Sequence, residues 1–322
     1  MAFGWIDEIL IKGRRMVKGV MNRAAQKELA QKKHHQKKEF LGLSAEFEAI
    51  YSEINKYDYG KFLTPAWDGF FRKIEKTFLP APKFSFLSDP VIMLTMFATA
   101  GGEWMEKQVL YLENRVDKER LKMLLEEDYA GKPLILSPEY MTSHSSIQHL
   151  YSLERYREKA GLDPEKFNKI VEWGGGYGNM AKIYNRMKNK SFTYTIIDIP
   201  IFSVLQWIYL YVTAGPDRVN IIKNRDDIIM DGKINLLPLC FVENKIPECE
   251  LFISTWALSE SSKESQDFVV ENDFFGAKNI LFANQESDSR FKTASEIGDI
   301  VAGKASYTEE IEFLPGNRYS FL

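Results

Sequence analysis

A chain of 322 residues with 45% hydrophobic and 27% charged side chains and a formal net charge of -3 is long enough for one large or two modest cores, and it carries no sign of disorder. Two cysteines, Cys240 and Cys249, exclude a disulfide framework and a paired zinc site, and four histidines in all argue against a His-based catalytic metal. No uninterrupted apolar run reaches the ~20 residues of a membrane span and no secretory signal is visible, so a reduced, cytoplasmic protein is expected.

Charge is unevenly spread: residues 1–40 hold ten Lys/Arg against four Asp/Glu, leaving a net -9 on the rest. At helical spacing Phe3, Ile6, Leu10, Val17, Val20, Met21 and Ala24 share one face, with Arg14, Arg15, Lys18, Arg23 and Lys27 around the remainder. Such a basic amphipathic helix packs on its own core, packs on a second copy to make a homo-oligomer, or lies peripherally on the anionic inner face of a membrane. No nucleic-acid-binding motif accompanies it, so nucleic acid is not expected as a partner.

From Leu43 to Tyr129 the pattern stays helical. Ser44 precedes a run with Phe47, Ile50, Tyr51 and Ile54, and Thr64-Pro65 opens another with Trp67, Phe70, Phe71 and Ile74. Pro80, Pro82, Pro90 and Gly101-Gly102 interrupt the chain. Met93, Met96, Phe97, Trp104 and Met105 read as core filling, with a lid over an acceptor pocket as the sharper alternative. Leu110 to Tyr129 reads as one charged helix. Residues 1–136 are therefore predicted as a helical N-terminal region and 137–322 as a second domain.

Ser137 to Phe167 places Ile147, Leu150, Leu153 and Tyr156 at helical spacing. His144 stands in a hydroxyl-rich start that suits a cap or a polar ligand contact, and His149 lies five residues on, off the same face. A histidine near a cofactor suits proton removal near neutrality; the plain alternative is a hydrogen-bonded structural histidine.

Lys169 to Pro200 follows. Ile170 to Trp173 predicts a strand, Gly174 to Gly178 a tight turn, Asn179 to Lys188 a helix, and Phe192 to Ile197 a second strand ending at Asp198. This is half of a parallel βαβ nucleotide-binding unit. A dinucleotide fingerprint starting at Gly174 needs a third glycine at position 179, which is Asn. Beyond it come an apolar helix (Phe202 to Val212) and strands at Val219 to Ile222, Ile234 to Pro238, from Glu250 into Ser254-Thr255-Trp256, and Asn279 to Ala283. A terminal hairpin around Pro315-Gly316-Asn317 closes the chain. In an open α/β sheet ligands bind beyond the carboxyl ends of strands, so Ser254, Thr255, Trp256 and Glu260 fall on the active edge.

Glu172-x-Gly174-x-Gly176-x-Gly178 resembles the first motif of Rossmann-like S-adenosylmethionine-dependent methyltransferases. HSSIQHLYSLERY, IVEWGGGYGNMAKIY, YTIIDIPIFSVLQWIYL, INLLPL and LFISTWALSES, in this order, resemble the sugar O-methyltransferases of bacterial surface-polysaccharide gene clusters. The likeness covers about Ser137 to Leu322. It implies an α/β, mostly parallel methyltransferase sheet with a terminal antiparallel hairpin, S-adenosylmethionine as cofactor, and a sugar or glycan hydroxyl as acceptor; no residue is assigned to a metal. In that frame Glu172, Gly174, Gly175, Gly176, Tyr177 and Gly178 border the methionine end. Asp198 with Ile199 takes the ribose, Leu237 and Pro238 flank the adenine, and Ser254, Thr255 and Trp256 complete the shelf. The family's acid-Met pair after the fourth strand stands here as Glu260-Ser261. Base candidates are His144, His149 and Glu260. A NAD-dependent sugar-nucleotide oxidoreductase or epimerase, and a non-catalytic scaffold held by residues 1–40, are the alternatives.

Overall fold

The computed structural model describes residues 3–96, 102–188, 190–286 and 289–322, with side chains from residue 23 onward except that of Leu94. The N-terminal part is helical: α1 (Phe3–Ser44), α2 (Phe47–Ile54), α3 (Pro65–Phe78), α4 (Pro90–Met96), α5 (Gly102–Glu113) and α6 (Lys118–Leu125). Local chemistry sets several of these starts. Thr64 accepts the Trp67 N–H at 3.3 Å and Pro65 occupies the first turn, so α3 begins where the sequence predicts. The single helix expected over Leu110 to Tyr129 is instead two. The Asp117 carboxylate accepts the N–H groups of Glu119 and Arg120 at 3.0 and 3.2 Å, capping α6 after α5 has ended at Glu113. Ser44 does not cap α2; its hydroxyl donates back to the Phe40 carbonyl at 2.8 Å.

Helix α7 (His144–Ala160) leads into β1 (Lys169–Trp173), α8 (Asn179–Met187), β2 (Thr193–Asp198), α9 (Pro200–Ala214), β3 (Val219–Ile221), β4 (Ile234–Pro238) and β5 (Leu251–Thr255). Then come α10 (Ala257–Glu260), α11 (Lys263–Glu271), α12 (Asp273–Gly276), β6 (Asn279–Gln285), α13 (Ala294–Lys304), β7 (Tyr307–Glu310) and β8 (Asn317–Phe321). One eight-stranded sheet results, in the order β3-β4-β2-β1-β5-β6-β8-β7. Strands β1 to β6 pair in parallel; β8 runs antiparallel to β6 and β7. The order reverses at β1, between β2 and β5, and there the carboxyl ends open the crevice in which this class of sheet binds ligands.

Central strands buried on both faces read as continuous apolar runs, which explains Ile170-Val171, Ile196-Ile197, Leu236-Leu237 and Phe252-Ile253. Each such side chain contributes roughly 1.5–3 kcal/mol on burial. The hydrophobic cluster is continuous from Phe40 and Phe47 through the sheet to Tyr319 and Phe321, so the helical region and the sheet share one core. Helices α1 and α2 pack on α9, α5 on α7, and α6 on α8.

Of the basic N-terminal stripe, Phe3, Ile6, Leu10, Val17, Val20 and Met21 lie outside the described side chains. Ala24, predicted on the apolar face, is exposed. Its neighbours Ala25 and Leu29 are buried instead, against Ile135. No helix among the described residues is long and apolar enough to cross a membrane.

Candidate active site

The turn between β1 and α8 holds Gly174 at φ +76°, Gly176 at +57° and Gly178 at +92°, a backbone that L side chains rarely adopt. Space is as restrictive as torsion. A Cβ on Gly174 would stand 2.0 Å from that of Ala257 at the start of α10. Gly174, Gly175, Gly176 and Tyr177 of this loop line a cavity of about 560 Å³ at the carboxyl ends of the strands.

Beneath this loop lie two buried carboxyls with no cation beside them among the described residues. Asp198, at the end of β2, accepts the N–H of Ile199 at 2.8 Å, the N–H of Gly176 at 3.2 Å and Gln206 Nε2 at 2.8 Å. Gln206 Nε2 also donates to the Gly176 carbonyl at 2.8 Å, tying α9 to the loop. Burial pushes the Asp198 carboxyl up to about 7, against the pull of those hydrogen bonds. Glu172 accepts the Tyr194 hydroxyl at 2.9 Å; burial pushes it up to about 8, partly countered by that bond, with Asp198 adding to the rise. Glu172 is thus neutral near pH 7 and Asp198 is poised between its two forms.

The structure distributes the other predicted residues unequally. Gly174, Gly175, Gly176, Tyr177, Ile199, Thr255, Trp256 and Glu260 line the cavity with Glu172 and Asp198. Gly178 stands at the start of α8, where a Cβ would crowd Leu210 at 3.0 Å. Leu237 and Pro238 are buried within β4, and Leu239, one position on, reaches the cavity in their place. Ser254 is a structural hydroxyl: it donates to the Trp173 carbonyl at 3.2 Å and accepts the Leu258 N–H at 3.0 Å. His144 is buried in the first turn of α7, behind the wall to which Ser145, Gln148 and His149 contribute.

His149 therefore stands on the cavity and His144 does not. Burial, with the Lys182 ammonium nearby, lowers His149 to about 4, so its imidazole is neutral at physiological pH. Behind it, Glu127 is wholly buried and accepts Lys182 Nζ at 2.7 Å and the hydroxyls of Ser143 and Ser146 at 2.5 Å each. Burial alone would raise Glu127, but the Lys182 charge and these donors outweigh it and hold the carboxyl below its ordinary value. The adjacent Asp128 accepts from Gln36 at 2.8 Å and Arg186 at 2.6 Å, so α1 and α8 meet on one pair of acids.

Sequence reasoning missed the outer half of the cavity. One wall is aromatic, from Phe62, Trp67, Phe70 and Phe202; the opposite rim carries Gln285, Arg290, Phe291 and Asn317. Trp256 Nε1 donates to Asn317 Oδ1 at 2.7 Å, joining β5 to the terminal hairpin. Met96, at the end of α4, lies over the glycine loop, 3.8 Å from where a Gly176 Cβ would stand. Of the predicted methionine-aromatic cluster it is the member on the cavity; Trp104 packs on Phe313, and Phe97 lies outside the described residues. Among the described residues no group of three or more His, Cys, Asp or Glu could hold a metal ion.

No protein-family model matches the chain, and no curated protein matches it. Solved structures do align with it. The O-methyltransferase TomG of Streptomyces achromogenes, solved with SAM, is 9% identical over 70% of this chain and 99% of its own, with a TM-score of 0.41. An O-methyltransferase from Bacillus cereus, solved with SAH, is 9% identical over 73% of this chain and 96% of its own, at 0.38. The mitomycin 7-O-methyltransferase is 12% identical over 55% of this chain, at 0.37, and the match spans 56% of that enzyme's length.

Proposed function

We propose that the protein is an S-adenosylmethionine-dependent O-methyltransferase whose acceptor is a sugar or glycan hydroxyl. The observation that carries the cofactor is Asp198. It is a carboxyl buried at the end of β2, with no cation beside it among the described residues, and it lines the cavity together with the glycine loop. When ionised it can accept a ligand's paired hydroxyl donors by exchanging them for the neutral Gly176 N–H and Gln206 amide it now holds. The glycine cradle fits the cofactor too: a Cβ on Gly176 would meet nothing nearer than Met96 at 3.8 Å, so its absence leaves that space to the cavity.

When bound, the cofactor supplies a methyl group on a positively charged sulfur, an electrophile that needs no further activation. Asp198 would then hold the ribose hydroxyls, Glu172 would support the loop from below, and Leu239 would meet the adenine. Of the base candidates His149 and Glu260 line the cavity, and His149, neutral at pH 7, is the one held by a hydrogen bond to Asn179. The aromatic wall would exclude water and align the acceptor, the larger part of what such a reaction asks of a protein. The sugar reading is supported by the sequence resemblance and by the company of Trp67, Phe70 and Phe202 with Gln285, Arg290 and Asn317, flat apolar faces beside hydrogen-bonding groups.

Calorimetric titration with S-adenosylmethionine, S-adenosylhomocysteine and NAD in parallel tests the class. Micromolar binding of both sulfur compounds without NAD is expected; NAD binding alone would replace this reading with an oxidoreductase. Methyl transfer to sugar nucleotides and oligosaccharides, against catechols and flavonoids as a rival panel, tests the acceptor.

A further inference from the structure

We infer that a hydrogen-bonded relay, running from the buried Lys182–Glu127 pair through Ser146 and Asn179, holds His149 as the Nδ1–H tautomer and turns the lone pair of Nε2 into the cavity. The use of that lone pair as a base rests on the methyltransferase reading; the relay does not.

The inference is an accounting of protons. Ser143 caps α7, and Ser146 and His149 stand three residues apart on it, neighbours on the side that meets the start of α8 at Asn179 and Lys182. Glu127, ionised beside Lys182, can only accept hydrogen bonds. Ser146 owns one O–H, and it goes to Glu127 at 2.5 Å. Toward Asn179 Ser146 therefore offers a lone pair. The Asn179 amide spans the gap, its Oδ1 placed 3.3 Å from Ser146 Oγ and its Nδ2 3.1 Å from His149 Nδ1. An amide's oxygen and nitrogen exchange places by a half turn of the last torsion, so the neighbours decide which end faces which. The proton count turns this amide over, its NH₂ end to Ser146, because Oδ1 there would set two acceptors against each other in a buried place. The carbonyl end then faces His149, and Nδ1 must carry the proton. With Nδ1 turned to Asn179, Nε2 is left as the acceptor that His149 brings to the cavity lining.

In the proposed reaction the acceptor's O–H bond breaks and its proton goes to Nε2, forming an N–H bond. The electron pair stays on oxygen, which takes the methyl group as the sulfur keeps the pair of the old C–S bond. Nδ1–H, donating to Asn179, offsets part of the burial and Lys182 repulsion that disfavour the imidazolium so formed. Asn179 and Ser146 act through His149 and are positioning residues.

The test reads the tautomer itself. In the full-length protein labelled with ¹⁵N, long-range imidazole ¹H–¹⁵N correlations at pH 7 should show a protonated Nδ1 and an unprotonated Nε2 for His149, identified by the signals lost in His149→Gln. A protonated Nε2 overturns the relay, whatever the protein's activity. Asn179→Ala should mix the tautomers and lower kcat by roughly tenfold or more, a fraction of what a base supplies, with S-adenosylmethionine affinity changed less than twofold. Asn179→Asp, which keeps an acceptor toward Nδ1, should restore the single tautomer. An unchanged tautomer in Asn179→Ala overturns the proposal. If the cofactor fails to bind, the enzymatic reading falls while the spectrum still decides the relay.

Discussion

Two regions of this molecule bury carboxyl groups, and they do so in opposite ways. At the junction of α1, α6, α7 and α8, Glu127 and Asp128 are matched by Lys182 and Arg186 and by hydroxyl and amide donors. Under the glycine loop, Glu172 and Asp198 are as deeply buried and have only neutral donors. Burial disfavours the charged form in both places, but opposing cations reverse the outcome in the first and are missing from the second. Matched acids join helices through charge; the acids under the loop join β1, β2, α9 and the turn through neutral donors alone. In the proposed function it is this second, uncompensated pair that meets the ligand.

The largest effect should come from unmatching the matched pair. Lys182→Met leaves Glu127 buried and uncompensated, and should lower stability by about 3–5 kcal/mol in urea denaturation. The double substitution with Glu127→Gln should recover much of that loss. A Lys182→Met protein as stable as the parent would deny that the pair is a coupled unit.

Neutralising the unmatched side should do the reverse. The Glu172 carboxyl titrates near 4.5 in an unfolded chain and near 8 in the folded one. Between those values the folded state keeps a proton that the unfolded state has lost, so rising pH favours unfolding. The contribution is whole below pH 4.5 and lost as pH climbs through 8. Glu172→Gln removes this burden and should stabilise the empty protein at pH 9 by up to roughly 4 kcal/mol, at ~1.4 kcal/mol per pKa unit, with little gain at pH 5. Thermal unfolding of both forms across that range decides it; parallel curves would mean that Glu172 does not titrate with folding.

How legible these two regions were in the sequence differs for a physical reason. Gly174, Gly176, Gly178 and Asp198 announce themselves because local backbone geometry demands them: positive φ, a Cβ-free approach and the end of a buried strand all act within one βαβ unit. Lys182–Glu127 joins residues 55 positions apart, and the cavity's aromatic wall brings Trp67 from α3 to Phe202 on α9. No periodicity encodes such meetings. Gln206 showed only as a polar interruption in an apolar helix, and its task of joining Asp198 to the loop needed the fold to be seen. Asn179 was visible only negatively, as the residue that spoils a dinucleotide fingerprint; in three dimensions it contacts His149. Leu237 and Pro238 fell one position short of Leu239 because strand ends are the least certain part of any pattern.

A third test acts on the ligand alone. Asp198→Ala removes the proposed acceptor of the ribose hydroxyls, two charge-assisted hydrogen bonds each contributing about 1.5–3 kcal/mol. S-adenosylmethionine affinity should fall by more than roughly a hundredfold, while the donors of Ile199, Gly176 and Gln206, left without their acceptor, offset what the fold gains from losing a buried acid. Unchanged affinity in a folded variant would remove Asp198 from the site.

The smallest effect is the most specific, because it asks whether the unmatched acid responds to its ligand as a charge. The empty protein holds the Asp198 carboxyl near 7, and only its ionised form accepts two hydroxyl donors without giving up a site to its own proton. Below pH 7 each binding event must first release that proton, so the dissociation constant for S-adenosylmethionine should rise about tenfold per pH unit, or ~1.4 kcal/mol. Above pH 7 the proton is already gone and the affinity should level off. His149 titrates near 4 and adds nothing to the slope between pH 5.5 and 8. Glu172, near 8, would enter only at the alkaline end. In Asp198→Asn the slope should vanish along with most of the affinity. A flat profile in the parent protein would mean that Asp198 stays ionised through some partner of its own, and the contrast between matched and unmatched acids would lose its functional half.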